Sequence, residues 1–138
     1  MKLVEKIMSI LKLDEAGKVS KFFESLVKDS KRAIAQLESN KKAETIEYEQ
    51  RKDELTEKLE DAKEAVESAY ENVTLDNVKN NEAINQYKEV YLRNIRNAEY
   101  FVKQIEEALK ELEENYKDAI SDIEEDIAAN KALIARFE

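Results

Sequence analysis

The chain has 138 residues, 40% of them charged, and 23 Lys+Arg against 32 Asp+Glu give a net charge of −9. It contains no Pro, Cys, His or Trp and a single Gly. These counts exclude disulfides, thiolate or imidazole metal sites, Cys or His catalysis and glycine-rich phosphate loops, and they favour long helices.

The first predicted helix covers residues 2–12. Leu3, Val4, Ile7, Met8, Ile10 and Leu11 fall on one side, with Lys2, Glu5, Lys6, Ser9 and Lys12 opposite. The charges interrupt the apolar core that a secretory signal needs, so a cytoplasmic protein is expected. No run of 18 apolar residues predicts a spanning helix. A helix this short needs a surface to cover. The expected surface holds Phe22, Phe23, Leu26, Val27, Leu133, Ile134 and Phe137. Docking on a partner stays open, and this helix is the only candidate for a membrane contact. A turn is expected at Asp14–Glu15–Ala16–Gly17, with Asp14 as cap and Gly17 free to take positive φ.

The second predicted helix spans 15–72. Val19, Phe23, Leu26, Ser30, Ala33 and Leu37 recur at alternating spacings of four and three. So do Tyr48, Lys52, Leu55, Leu59, Ala62, Val66, Ala69 and Val73, one residue out of phase with the first set. Lys52 is the one charged residue in that second set. The slip fits either a continuous helix whose stripe drifts or a local break at Ser39–Lys42. The continuous helix is favoured, because neither Gly nor Pro occurs there.

Seven of the ten Asn lie between 72 and 97, and Asn, Asp and Thr compete with helical hydrogen bonds. The main turn is therefore placed at 73–78. The third predicted helix, 78–137, carries the strongest repeat. Ile84, Tyr91, Ala98, Ile105, Leu112, Ala119, Asp126 and Leu133 are seven apart. Lys88, Ile95, Val102, Leu109, Tyr116, Ile123, Asn130 and Phe137 follow them by four. A heptad held this long predicts a left-handed supercoiled seam. Asp126, Asn130 and Lys52 are polar residues within the predicted seams and are assigned a register-setting role.

The predicted fold is all-α: one elongated domain over 1–138, a long antiparallel helical hairpin with the short first helix packed on its open end. Each long helix has about 60 residues and so about 90 Å of length at 1.5 Å per residue. Charge supports the fold-back. Residues 1–42 carry a net +4, 43–73 a net −7, 74–105 a net +1 and 106–138 a net −7. A fold near residue 76 lays the basic first quarter beside the acidic last one. Tyr87, Phe101 and Ala108 on one side and Leu92, Ile120, Ile127 and Ile134 on the other widen the seam of the third helix, which suits three or four helices and predicts a homo-oligomer or docking on a larger assembly.

Chemistry is sparse. The runs at Glu106–Glu107, Glu113–Glu114 and Glu124–Asp126 read as solvated helix faces, so no metal, cofactor or catalytic residue is expected. Tyr87, Tyr91, Arg93, Arg96 and Tyr100 are candidates for binding a protein partner, since Tyr and Arg dominate interface hot spots. No nucleic acid is expected on so acidic a chain. The predicted function is a non-enzymatic scaffold or assembly factor. The alternative is an acidic inhibitor, adaptor or nucleic-acid mimic that fills a partner's basic groove.

Leu13–Asp14–Glu15, followed by the small residues Ala16 and Gly17, is a candidate processing site at Leu13, Glu15 and Ala16. Ile105–Glu106–Glu107–Ala108 also fits that pattern. With its acidic, helical character and lack of Cys and Trp, the chain resembles the prohead core, or internal scaffold, proteins of large tailed bacteriophages. A phage protease cuts those proteins after Leu/Ile-x-Glu. The resemblance implies a transient assembly partner of capsid subunits in a phage-infected bacterium.

Overall fold

The computed structural model describes the backbone of residues 16–79 and 81–138, and the side chains of 17–73 and 88–138. The first predicted helix, 2–12, and Asp14 and Glu15 of the first turn lie outside the described residues.

The protein is all-helical. Helix α1 runs over Ala16–Lys79 and helix α2 over Asn81–Phe137. Every described residue but Glu138 is helical. The Glu138 amide still donates to the Ile134 carbonyl at 2.8 Å. Arg136 stands in the last turn of α2, where a cation complements the negative end of the helix dipole.

Two expected turns are corrected. Residues 73–78 belong to α1, which continues to Lys79. An Asn inside a helix costs only a few tenths of a kcal/mol, and Val73, Leu75 and Val78 prolong the apolar pattern without Gly or Pro. Gly17 is the second residue of α1 rather than a left-handed turn residue. A Cβ added there meets nothing within 4 Å. Across residues 39–42, α1 runs without interruption. Gln36 Nε2 donates to Asn40 Oδ1, one turn on, at 2.9 Å.

The chain divides into two compact units. The first brings together Met1–Ile46 and Tyr116–Glu138, and the second is Glu47–Asn115. In the first unit Phe23, Val27 and Ser30 are buried. Phe23 stacks on Phe137, with ring centroids 4.6 Å apart and planes 10° from parallel. Phe22 meets the edge of Phe23 at 5.4 Å but stays 62% exposed. In the second unit the buried residues are Ala62, Ile95 and Ile105. No large side chain is fully buried among the described residues. Phe23, Ser30, Ala62, Ile95 and Ile105 all lie on the four–three spacings read from the sequence.

Candidate interaction surfaces

The one-residue slip in the α1 stripe has a structural counterpart. From Leu37 the half-buried positions continue through Lys41 and Thr45 to Tyr48. Two successive spacings of four absorb the slip, because 3.6 residues per turn outruns a strict 3.5-residue repeat. These transitional positions carry polar side chains. Thr45 Oγ1 donates to the Lys41 carbonyl at 2.9 Å and lies 2.8 Å from Tyr116 Oη. The Thr45 proton is committed to that carbonyl, so the Tyr116 hydroxyl donates to Thr45. Lys41 Nζ reaches Glu124 at 3.0 Å, and Lys31 Nζ reaches Glu138 at 2.8 Å. Glu38, Lys41, Glu124, Ile127, Ala128 and Lys131 line a shallow groove of about 300 Å³ in this unit.

This polar layer was not among the expected register-setting residues, although the phase slip marks its place in the sequence. Of those that were, Asp126 is exposed rather than seated in the seam. Ile127 takes the half-buried position beside it, because the stripe drifts around a straight helix. Asn130 is half-buried, and its Nδ2 donates to the Asp126 carbonyl within its own helix at 2.8 Å. Lys52 is exposed, with its Nζ 5.8 Å from the centre of the Tyr48 ring.

The partner-binding candidates do not gather on one face. Tyr91 is half-buried and lines a groove of about 460 Å³ with Ala65, Ser68, Ala69, Asn72, Asn94 and Ala98. Tyr100, nine residues on, points to the opposite side of α2 at about 100° per residue and is 63% exposed. Arg93 and Arg96 are exposed near it. The side chain of Tyr87 lies outside the described residues. Of the candidate processing site, Ala16 opens α1, while Leu13 and Glu15 lie outside the described residues.

One flank of α2 is mixed in charge. Leu92, Arg96, Glu99, Lys103, Glu106 and Lys110 recur at four and three. On it, Glu99 accepts a 2.5 Å hydrogen bond from the Tyr70 hydroxyl of α1. That bond, and then the negative charge of Glu99, hold the Tyr70 phenol above its ordinary value of 10.0. Among the described residues no group of three or more acidic side chains could hold a metal ion. No helix there is long and apolar enough to cross a membrane. No protein-family model, curated protein or solved structure matches the chain.

Proposed function

We propose that the chain is a single elongated antiparallel coiled-coil hairpin that works as a non-enzymatic scaffold or assembly factor. The order of the partners between the helices supports the hairpin. In the first unit Lys31 meets Glu138, Lys41 meets Glu124 and Thr45 meets Tyr116, so partner numbers fall as those of α1 rise. In the second unit Tyr70 meets Glu99. Spin labels at the exposed Lys63 and Lys103 test the orientation. Helices packed about 10 Å apart bring the labels within about 20 Å. A continuous rod holds them about 60 Å apart at 1.5 Å per residue, which would sink the hairpin.

The observation that carries the scaffold reading is the display of large apolar side chains on a helical surface. Phe22, Ile46, Val90, Tyr100 and Phe101 are between 46% and 63% exposed. Val90 and Phe101 share one flank of α2, and exposed apolar groups gathered on one face mark protein-binding surfaces. Similarity of Leu13–Ala16 to the prohead core processing site narrows the role to capsid assembly in the cytoplasm of an infected bacterium. Light scattering over a concentration series tests the reading. A scaffold gains mass with concentration, while a chain monomeric throughout is not a self-assembling scaffold.

The acidic adaptor is the second reading, and one observation favours it. Glu57, Glu60, Glu64, Glu67 and Glu71 recur at three and four and are all exposed, so they form an acidic ridge on α1. Binding of a basic partner through that ridge would weaken steeply with salt.

A further inference from the structure

The flank of α2 opposite its mixed-charge row is built from different residues. Val90, Asn94, Asn97, Phe101, Gln104 and Ala108 recur at four, three, four, three and four, until Glu111 ends the strip. None of the six is charged, in a chain where 40% of residues are. Val90 is 46% and Phe101 52% exposed, the three amides are exposed, and Ala108 is half-buried. Asn94 also lines the groove floored by Ala65, Ser68 and Ala69, where small side chains leave room beside the strip.

We propose that this strip is the contact by which two copies of the chain pair, α2 against α2, about a two-fold axis level with residue 99. The proposal rests on the scaffold reading and names the surface that it uses. Two copies at −9 each repel, so an isologous contact needs a face that adds no like charges at close range. A carboxylate only accepts and an ammonium only donates, so neither pairs with its own kind. An amide carries two donors and an acceptor and can pair with another amide. The spacing of the strip, four, three, four, three and four, also reads the same when reversed, with Asn97 beside Phe101 of the second copy at the centre. With the axis at residue 99, Val90 faces Ala108 of the second copy and Asn94 faces Gln104 of the second copy. The two Phe101 rings then flank the axis, where an aromatic anchor contributes most. A charged partner protein would find no complementary charge on this strip, whereas the mixed-charge flank offers both signs.

Sedimentation velocity of the full chain, from about 1 μM to about 1 mM, measures the dimer constant over the range of weak interfaces. Phe101→Glu is expected to weaken dimerisation about a hundredfold or more by burying a charge beside its own image, and Val90→Glu by burying an unpaired charge against Ala108 of the second copy. Circular dichroism should remain helical. Leu92→Glu, on the mixed-charge flank, should leave the constant within about threefold of the wild type, the usual reach of a rim charge. The chain has no Cys, so Asn94→Cys/Gln104→Cys reports the geometry directly. Within one helix these positions are about 15 Å apart, too far to bridge. Oxidation should therefore yield a covalent dimer, while Arg96→Cys/Glu106→Cys should not. A wild-type dimer untouched by Phe101→Glu, or cross-linked only by the control pair, overturns the strip and leaves the scaffold reading standing. A wild-type chain monomeric at every concentration overturns self-assembly itself, and the strip with it.

Discussion

The two compact units hold their helices together by different means. The first combines an aromatic stack, Phe23 on Phe137, with a polar layer at Lys41, Thr45, Tyr116 and Glu124. The second buries Ala62, Ile95 and Ile105, adds one exposed hydrogen bond from Tyr70 to Glu99, and leaves Val90, Leu92, Tyr100 and Phe101 exposed. Hydrogen bonds are directional, so the first arrangement fixes which residues face each other. Aliphatic contact is tolerant of sliding. It also spares the outer aromatic residues for another surface. Directional pairing is therefore denser in the first unit, while both units display large apolar side chains, Phe22 and Ile46 in the first and Val90, Tyr100 and Phe101 in the second.

Truncating the buried residue of each unit tests that contrast most strongly. Phe23→Ala should destabilise the protein by about 3 kcal/mol and Ile105→Ala by about 2 kcal/mol, at the lower end of buried truncations because neither side chain is fully enclosed. Denaturant unfolding gives the totals, and amide exchange locates them. Phe23→Ala should lower protection chiefly in 17–46 and 116–138, and Ile105→Ala chiefly in 47–115. Uniform loss in both variants would erase the distinction between the units.

Thr45→Val keeps the side-chain shape and removes the link between the Lys41 carbonyl and Tyr116. The expected cost is about 1 kcal/mol. The corresponding double-mutant cycle with Tyr116→Phe should show coupling, and additive effects would mean that the polar layer specifies nothing. Gly17→Ala should stabilise by about 0.5 kcal/mol, since the site is helical and open and Ala restricts the unfolded chain. A melting temperature that falls instead would place Gly17 outside the helical region.

The smallest expected effect is a pH dependence in the second unit. The folded Tyr70 phenol is raised above its unfolded value, so its contribution is fully present below the unfolded value of 10.0. It is lost as pH rises through the higher folded value. Absorbance titration of tyrosinate should show one late-ionising Tyr that disappears in Tyr70→Phe. An unchanged titration curve would mean that Glu99 does not hold the phenol in solution.

Much of the fold was legible because the apolar spacing carries it. Phe23, Ala62, Ile95 and Ile105 were named from spacing alone and are buried. The failures share a cause. The Asn-rich segment predicts a turn at 73–78, yet the preference of Asn for caps is too weak to end the helix there, and α1 continues to Lys79. Gly17 was read as a turn for its freedom, which a helix does not require it to use. Asp126 was assigned to the seam by counting sevens beyond the point where a straight helix stays in phase. The same drift hides the polar layer, since Lys41 and Thr45 occupy seam positions only where two fours follow each other. The scattered partner candidates show a further limit. Composition singled out Tyr91 and Tyr100 together, but nine residues of helix turn them to opposite sides.

The absence of any fully buried large side chain among the described residues has a calorimetric consequence. The heat-capacity rise on unfolding comes from apolar surface that leaves a dry interior. Where each apolar residue keeps part of its water in the native state, that rise is small for the number of residues ordered. The stability curve is then shallow, and the enthalpy at the midpoint is modest. Heating should therefore melt the protein over a broad interval, with cold denaturation displaced far below freezing.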